Sequence, residues 1–315
     1  GLRPRVVHVR FIDDASLAVA QGAVEAGIPA VMTLTPDPHR LLVNPGGGLR
    51  RLSRPQELII LHRLWVGDEI LDICRGVIGI GRDSFEAQLL DYFPQLEDLD
   101  SRHIAAVDEG VPDSPTEIDS DIPALLIDSG LARSLSRDRI ERPVMLTVGR
   151  LASIKNQAAL AEAWARGFWR THNLVIIGGD LENPSPEERE MLDSIEAALS
   201  VAPEGAKGCV AHLPGMDADT VALIEAWFGR RSHSEYPDLY IASSIKEEFG
   251  LAILEAMGAG LVACAPIRGG AGSYIRQGIN GFLVDTQNAA SIGREVSEIL
   301  RRLRTSGDRV TSIRR

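Results

Sequence analysis

Residues Val144 to Asn156 read VMLTVGRLASIKN: five residues suited to a buried strand, then Gly149, then a loop carrying Arg150 and Lys155. A helix-period segment, Gln157 to Phe168, follows directly. The same order recurs at LYIASSIKEEFGLAILEAM, Leu239 to Met257, where a short apolar strand runs through a polar loop into a helix opening at Gly250. Two such units predict parallel strands whose loops emerge at one sheet edge, the edge where open α/β sheets bind ligands.

Outward from these stretches the alternation continues. Strands are expected at Leu174 to Ile177, Val210 to Leu213, Leu261 to Ala265 and Phe282 to Val284. Helices are expected at Pro186 to Leu199, Ala218 to Phe228, Leu251 to Ala259, Ser273 to Gln277 and Ala289 to Arg302. This half is a complete doubly wound unit. Upstream, Val6 to Val9 and Pro29 to Leu34 flank a helical segment, and a Gly/Pro-rich loop leads to a helix over Gln56 to Cys74. A strand at Gly76 to Ile80, a helix over Ser84 to Tyr92 and a strand at His103 to Val107 complete the earlier half. Between Asp108 and Arg142 the composition turns to Asp, Pro, Ser and Arg, which marks a linker. The expected division is 1–135, a partial Rossmann-like domain with its linker, and 136–315, a second Rossmann-like domain. The first half carries about four strands where such a sheet usually has five or six, so it is read as truncated at its N-terminus.

Composition narrows the function. A hydrophobic fraction of 44% and a charged fraction of 24% describe an ordinary globular chain. The net charge of -11 argues against a nucleic-acid partner, since phosphate backbones are held by clustered Lys and Arg. A local basic pocket is compatible with that charge, and two of the three lysines, Lys155 and Lys246, fall in the loops above. Cys74, Cys209 and Cys264 form no CxxC pair and read as core thiols of a reducing compartment. No signal-peptide pattern and no apolar stretch near 18 residues are seen, so the expected location is cytoplasmic.

The chemistry resides in the two loops. Gly250 lets backbone approach a ligand, and the helix after it offers unpaired N–H groups and a positive dipole end to an anion. Arg150 and Lys155 bring two cations near another helix start, which suits a diphosphate. Glu255 lies about one turn into its helix and flanks the same pocket; Glu247 lies in the loop before it. Three Asp-x-Asp pairs, Asp98/Asp100, Asp119/Asp121 and Asp217/Asp219, do not follow strands in the way a metal-dependent transferase requires, and the remaining histidines lack ligand spacing.

Gly149 to Asn156, the Glu-x7-Glu pattern Glu247 to Glu255, the run Gly258-Ala259-Gly260 and the segment Gly278 to Val284 resemble the retaining glycosyltransferases of family 4, a group that includes sucrose-phosphate synthases. The resemblance spans most of Val144 to Ile299. It implies a GT-B fold, two Rossmann-like domains facing a cleft, with a nucleotide-sugar donor on the second and an acceptor, a small molecule or glycan, on the first. It implies catalytic roles for Arg150 and Lys155 on the diphosphate and for Glu247 on the sugar ring. Backbone at Phe249, Gly250 and Leu251 would meet phosphate or sugar, and Glu255 the ribose hydroxyls. His212, Leu213 and Pro214 would border the base, and Gly149, Gly178 and Gly179 would line the cleft. A hexose from a UDP-sugar, transferred with retention and without metal or cofactor, is the implied chemistry.

In the first half, His8 and His39 are candidate contacts, because Arg10 and Thr35 stand where family members often carry histidine. Ser273 stands in place of a usual Glu, and Glu109 where Asn is common. Two other readings remain: a nucleotide-sugar epimerase using acids such as Asp13 and Asp14, and a module that binds nucleotide sugar without transferring it.

Overall fold

The computed structural model describes residues 4–34, 51–79, 104–107, 110–117, 121–127, 133–233, 235–247 and 249–305. The chain divides into two compact units, Gly1–Glu109 and Gly110–Arg315.

In the first unit, strands β1 (Val7–Val9), β2 (Ala30–Leu34), β3 (Gly76–Gly79) and β4 (Ile104–Ala106) lie side by side in chain order, all parallel. Helix α1 (Asp14–Glu25) starts where the Asp13 carboxylate accepts the Ser16 N–H at 2.8 Å. Helix α2 (Arg54–Ile73) starts with a capping box between Ser53 and Gln56. Leu17 and Ala20 of α1 and Val66 and Ile70 of α2 pack with Val9, Met32 and Val77 into one core. The helix expected over Ser84 to Tyr92 lies outside the described residues.

The second unit opens with a short helix, α3 (Ile122–Ile127). There follow β5 (Val144–Val148), α4 (Gln157–Gly167), β6 (Asn173–Ile177), α5 (Pro186–Leu199), β7 (Val210–Leu213) and α6 (Ala218–Arg230). The second set is β8 (Leu239–Ile241), α7 (Leu251–Ala259), β9 (Val262–Pro266), β10 (Phe282–Val284) and α8 (Ala289–Thr305). All six strands are parallel in the order β10-β9-β8-β5-β6-β7. Strand alternation sends Met145, Leu174 and Ile176 to a core shared with Trp164 of α4 and Val296 of α8. Leu146, Val175 and Ile177 go to the opposite core, shared with Phe228 of α6 and Ala256 of α7. Buried on both faces, the strands are continuous apolar runs, which is why they read clearly from sequence.

Two expectations change. The stretch that composition marks as a linker supplies core: Ile122, Leu126, Leu135 and Ile140 are all buried in the second unit. The helix expected at Ser273 to Gln277 is instead a single 3-10 turn, Gly270–Ser273. Asn280 explains the stop, because its amide takes the backbone groups a helix would use, accepting from Arg276 N–H at 2.7 Å and donating to the Tyr274 carbonyl at 2.8 Å. All three cysteines are buried and free, and burial pushes the Cys264 thiol up to about 12.

The amino ends of β5 and β8 are tied by one carboxylate. Asp238, with no exposed surface, accepts from the Val144 N–H and Arg231 Nη2, each at 2.8 Å, and bonds His233 Nε2 at 3.1 Å. Arg231 also donates to the carbonyls of Ile140 and Arg142 at 2.8 Å and lies 4.5 Å over the Trp227 ring. Burial pushes the Asp238 carboxyl up, but the His233 and Arg231 contacts outweigh it and hold it below its ordinary value.

Glu225 on α6 is the opposite case. It is 1% exposed, and its Oε1 has no hydrogen-bond partner among the described residues. Burial, with the Glu255 carboxylate adding to it, pushes its carboxyl from the ordinary 4.5 up to about 8. The unfolded chain therefore releases this proton at lower pH than the folded one. Between those two values the unfolded state holds fewer protons, so stability falls as pH rises and levels off above about 8.

Two outcomes are expected. Asp238→Ala strands the Arg231 charge and lowers unfolding free energy by about 3–5 kcal/mol in urea titrations; a loss under 1 kcal/mol would deny the tie its role. Glu225→Gln removes the pH slope, so its thermal midpoint exceeds wild type increasingly between pH 5 and pH 9, and parallel curves would show a Glu225 carboxyl that titrates normally.

Candidate functional site

Strand register fixes where the loops emerge. Val148 of β5 pairs with Ile177 of β6, which pairs with Leu213 of β7, so Gly149, Gly178 and Pro214 follow in one row at the carboxyl edge. On the other side Leu146 pairs with Tyr240 of β8, which sends the loop after Ile241 out beside the loop after Val148. Helix connections depart in opposite directions from β5 and β8, so this is the topological switch point of the sheet.

Close packing at the edge needs glycine. A Cβ at Gly178, whose φ is 150°, would stand 1.8 Å from the Gly149 carbonyl oxygen. At Gly250, with φ of 88°, a Cβ would meet Glu247 Cγ and the Tyr274 hydroxyl, each at 2.9 Å. Gly250 caps α7 in the left-handed region, and its carbonyl accepts the first helical bonds from Ile253 and Leu254. The N–H groups of Gly250, Leu251 and Ala252 find no backbone acceptor among the described residues, as expected at a helix start.

The loop after β5 makes a 3-10 turn, Ser153–Lys155, and ends at Asn156 in the left-handed region. Asn156 Nδ2 donates to the Thr286 carbonyl at 2.8 Å and Gln157 Nε2 to the Arg150 carbonyl at 2.8 Å, which hold the loop from both sides. Against it lies the loop after β8, joined by the Ile245 N–H to the Ile154 carbonyl and by Ser243 Oγ to the Lys155 carbonyl, each at 2.8 Å.

Two predicted residues meet here. Lys155 Nζ donates to Glu247 Oε2 at 2.7 Å and Oε1 at 3.1 Å, and Ser244 Oγ donates to the same Oε2 at 2.8 Å. The side chains are 26% and 18% exposed, so a ligand reaches both. The Lys155 stem lies 3.8 Å from where a Gly149 Cβ would stand. Arg150, one residue on, is exposed, and its guanidinium makes no hydrogen bond or ion pair among the described residues.

Glu255 is half-buried on α7, one turn past Leu251, and among the described residues its carboxylate has no hydrogen-bond partner. Phe249 packs edge-on against Tyr274, ring centroids 5.5 Å apart, and Leu251 is exposed. Leu213 is fully buried with its carbonyl bonded to the Gly178 N–H at 3.0 Å, which leaves Pro214 and beyond to face solvent. His212 is also buried, its Nε2 without a hydrogen-bond partner among the described residues, and burial pushes it down to about 4, so it is neutral.

His8 lies in the first unit, exposed, its Nε2 2.6 Å from Thr33 Oγ1. His39 lies outside the described residues. Asp217 of the described Asp-x-Asp pair is a helix cap, taking the Thr220 N–H at 2.9 Å and hydroxyl at 2.8 Å. Among the described residues no group of three or more His, Cys, Asp or Glu is arranged to hold a metal ion. Sequence reasoning did not single out Ser243, Ser244, Tyr274 or Thr286, which act through single hydrogen bonds without a spacing signature.

Residues 142–302, which include both strand-end loops, match the family model described as glycosyl transferases group 1. Among curated relatives, sucrose synthase of Denitrovibrio acetiphilus is 26% identical over 171 residues, 51% of this chain and 20% of the relative. Sucrose synthase 3 of Arabidopsis thaliana is 24% identical over 255 residues, 77% of this chain and 28% of the relative. The match thus spans between a fifth and a third of the length of these relatives. Among solved structures, Anabaena HepE in complex with UDP and glucose is similar at a TM-score of 0.67 and 20% identity, covering 98% of this chain and 71% of that one. Sucrose-phosphate synthase from Thermosynechococcus elongatus gives 0.63 at 16% identity, covering 99% and 67%. The fold they share with the chain is GT-B. Since the matched family model takes in half of the chain and encloses the switch point with its Lys155–Glu247 pair, the chain belongs to the group 1 glycosyl transferases.

Proposed function

We propose that the second unit binds a nucleotide-diphosphate sugar, a UDP-sugar by preference, and that the protein transfers its hexose to a hydroxyl acceptor with retention of configuration. The observation that carries the proposal is the Lys155–Glu247 pair at the switch point, beside the exposed Arg150 and the open start of α7. Relatives named sucrose synthases, and a neighbour solved with UDP and glucose, support a sugar-nucleotide donor.

In this reading Arg150 and Lys155 hold the diphosphate, with the N–H groups at Gly250 and Leu251 completing the anion site. Departure of a nucleoside diphosphate leaves oxocarbenium character on the sugar and gathers negative charge on the leaving phosphate. Stabilising that charge is the main task, and the Lys155 and Arg150 cations with a helix dipole perform it without a metal. The leaving phosphate takes the proton of the attacking hydroxyl on the same face of the sugar, which gives retention. Glu247 accepts from sugar hydroxyls, Glu255 from the ribose, and Gly149, Gly178 and Pro214 border the nucleotide. In the first unit Asp13 already serves as a helix cap, its carboxyl held low chiefly by the Ser16 backbone N–H, so the epimerase reading is the weaker one.

The Lys155 ammonium is already matched by Glu247, so a bare diphosphate competes with a carboxylate for it. A sugar-bearing donor relieves that competition by giving Glu247 hydroxyls to accept from. Recognition of sugar and of phosphate are thereby coupled through one ion pair.

Lys155→Ala and Arg150→Ala should each weaken UDP binding roughly tenfold to a hundredfold by calorimetry, with thermal midpoints unchanged and sugar transfer from labelled UDP- or GDP-sugars lost in proportion. Wild-type behaviour in both variants sinks the proposal, and release of an epimer instead of a glycoside replaces it. Glu247→Gln should bind free UDP about two- to fivefold more tightly while transferring sugar at least ~10-fold more slowly; weaker UDP binding would show that Glu247 does not compete for Lys155.

A further inference from the structure

Tyr274 is placed by the loop after β9, and its side chain reaches across to the loop after β8. Its hydroxyl donates to the Phe249 carbonyl at 2.6 Å and lies 3.4 Å from the Gly250 carbonyl. The ring packs edge-on against Phe249. Two backbone contacts fix the base of the same contact, because Gly270 N–H donates to the Glu247 carbonyl at 2.9 Å and Glu247 N–H to the Arg268 carbonyl at 3.2 Å. Behind Tyr274 its own carbonyl is held by Asn280 at 2.8 Å, and Ser273 Oγ donates to the Gly270 carbonyl at 2.7 Å. The hydroxyl is therefore anchored from its own side before it grips the turn.

The consequence for the turn is directional. In a peptide unit the carbonyl and the next N–H point opposite ways. A hydroxyl that pulls the Phe249 carbonyl toward the loop after β9 turns the Gly250 N–H away from it. The phenol thus sets the Gly250 N–H directly, next to the Leu251 N–H, whose peptide unit is held by the helix bonds to the Gly250 carbonyl. Two features of the site argue that this orientation needs outside support. Gly250 sits at φ of 88°, where a glycine has wide freedom, and a Cβ there would collide with the Tyr274 oxygen at 2.9 Å. Tyr274 is half-buried, and burial, with the Glu247 carboxylate adding to it, pushes its hydroxyl well above the ordinary range, so it stays a donor at any working pH.

We infer that Tyr274 is a positioning residue for the donor, whose hydroxyl orients the Phe249–Gly250–Leu251 backbone so that its N–H groups address the phosphate farther from the nucleoside. This rests on the proposed function, since it presumes that the start of α7 meets a diphosphate. Tyr274 itself touches no ligand in this scheme; it acts through the turn.

The test is a titration of the full chain with UDP and with UMP, for wild type, Tyr274→Phe and Lys155→Ala, with thermal midpoints measured alongside. Tyr274→Phe keeps the ring and loses one hydrogen bond, so UDP affinity should fall about two- to tenfold, while UMP affinity and the thermal midpoint stay at wild-type values. Amide exchange over residues 249 to 252 should quicken in the same variant. A Tyr274→Phe protein that binds UDP like wild type, while Lys155→Ala binds it weakly, overturns the inference and leaves the proposed function standing. Equal losses for UDP and UMP also overturn it, since they mark a general structural role. If Lys155→Ala binds UDP as well as wild type does, the underlying reading fails first.

Discussion

The crossing from β5 to β8 at the centre of the second sheet is the constraint on which the remaining geometry depends. The chain leaves β5 toward β6 and β7, then returns to lay β8 along the other side of β5. Helices departing to opposite faces leave the carboxyl ends of these two strands uncovered. Asp238 ties the amino ends of the pair through the Val144 N–H, and Tyr240 reaches from β8 to the Val148 carbonyl at 3.3 Å. With one end tied and the middle bonded, the two loops at the far end have a fixed separation. Lys155 and Glu247 meet across that separation, though they lie on different crossovers.

Lys155 and Arg150 supply two cations, and Glu247 and Glu255 two carboxylates. Glu225 is the third acid in the neighbourhood, coupled to Glu255 and to Tyr240, but burial keeps it protonated through most of the neutral range. Its neutrality matters because a third full charge behind α7 would oppose a bound phosphate at short range in a medium that screens poorly. A carboxyl kept uncharged by its surroundings is compatible with anion binding nearby.

Much of the fold was legible because of where the strands lie. In the second unit every strand is covered on both faces, so each is a mostly apolar run, and the expected ends agree with the observed ones within a residue or two. The strand-end loops were legible for a different reason, since Gly149, Lys155, Gly250 and the two glutamates sit at fixed spacings from strands already located. What was not legible depends on tertiary contact. Helix α3 covers six residues in a stretch rich in turn-formers, and its Ile122 and Leu126 are recognisable as core only once β7 and α6 are beside them. The stop at Tyr274 depends on Asn280, six residues on, and no local propensity encodes it. Tyr274 itself falls within the helix expected over Ser273 to Gln277, and no local pattern marks its hydroxyl, whose partner is a carbonyl 25 residues away.

Whole-chain charge and site charge answer to different causes, and the contrast makes the proposed diphosphate site compatible with an acidic protein of three lysines. The net charge of -11 governs solubility and long-range repulsion of polyanions, and it is spread over surface side chains that salt screens within about 8–10 Å. A ligand seated at the switch point would meet a different field, made by backbone N–H groups, the exposed Arg150 and one lysine held between Ser243, Gly149 and Glu247. Backbone dipoles cannot be titrated and are fixed by the fold, so their contribution does not depend on composition. The Glu247 carboxylate is held by Lys155 and Ser244, and in the proposed function a donor's hydroxyls and phosphates would offer both partners a replacement. In the proposed function, preference for a sugar-bearing diphosphate over a bare one would come from a local exchange of hydrogen-bond partners, which the global charge neither assists nor prevents.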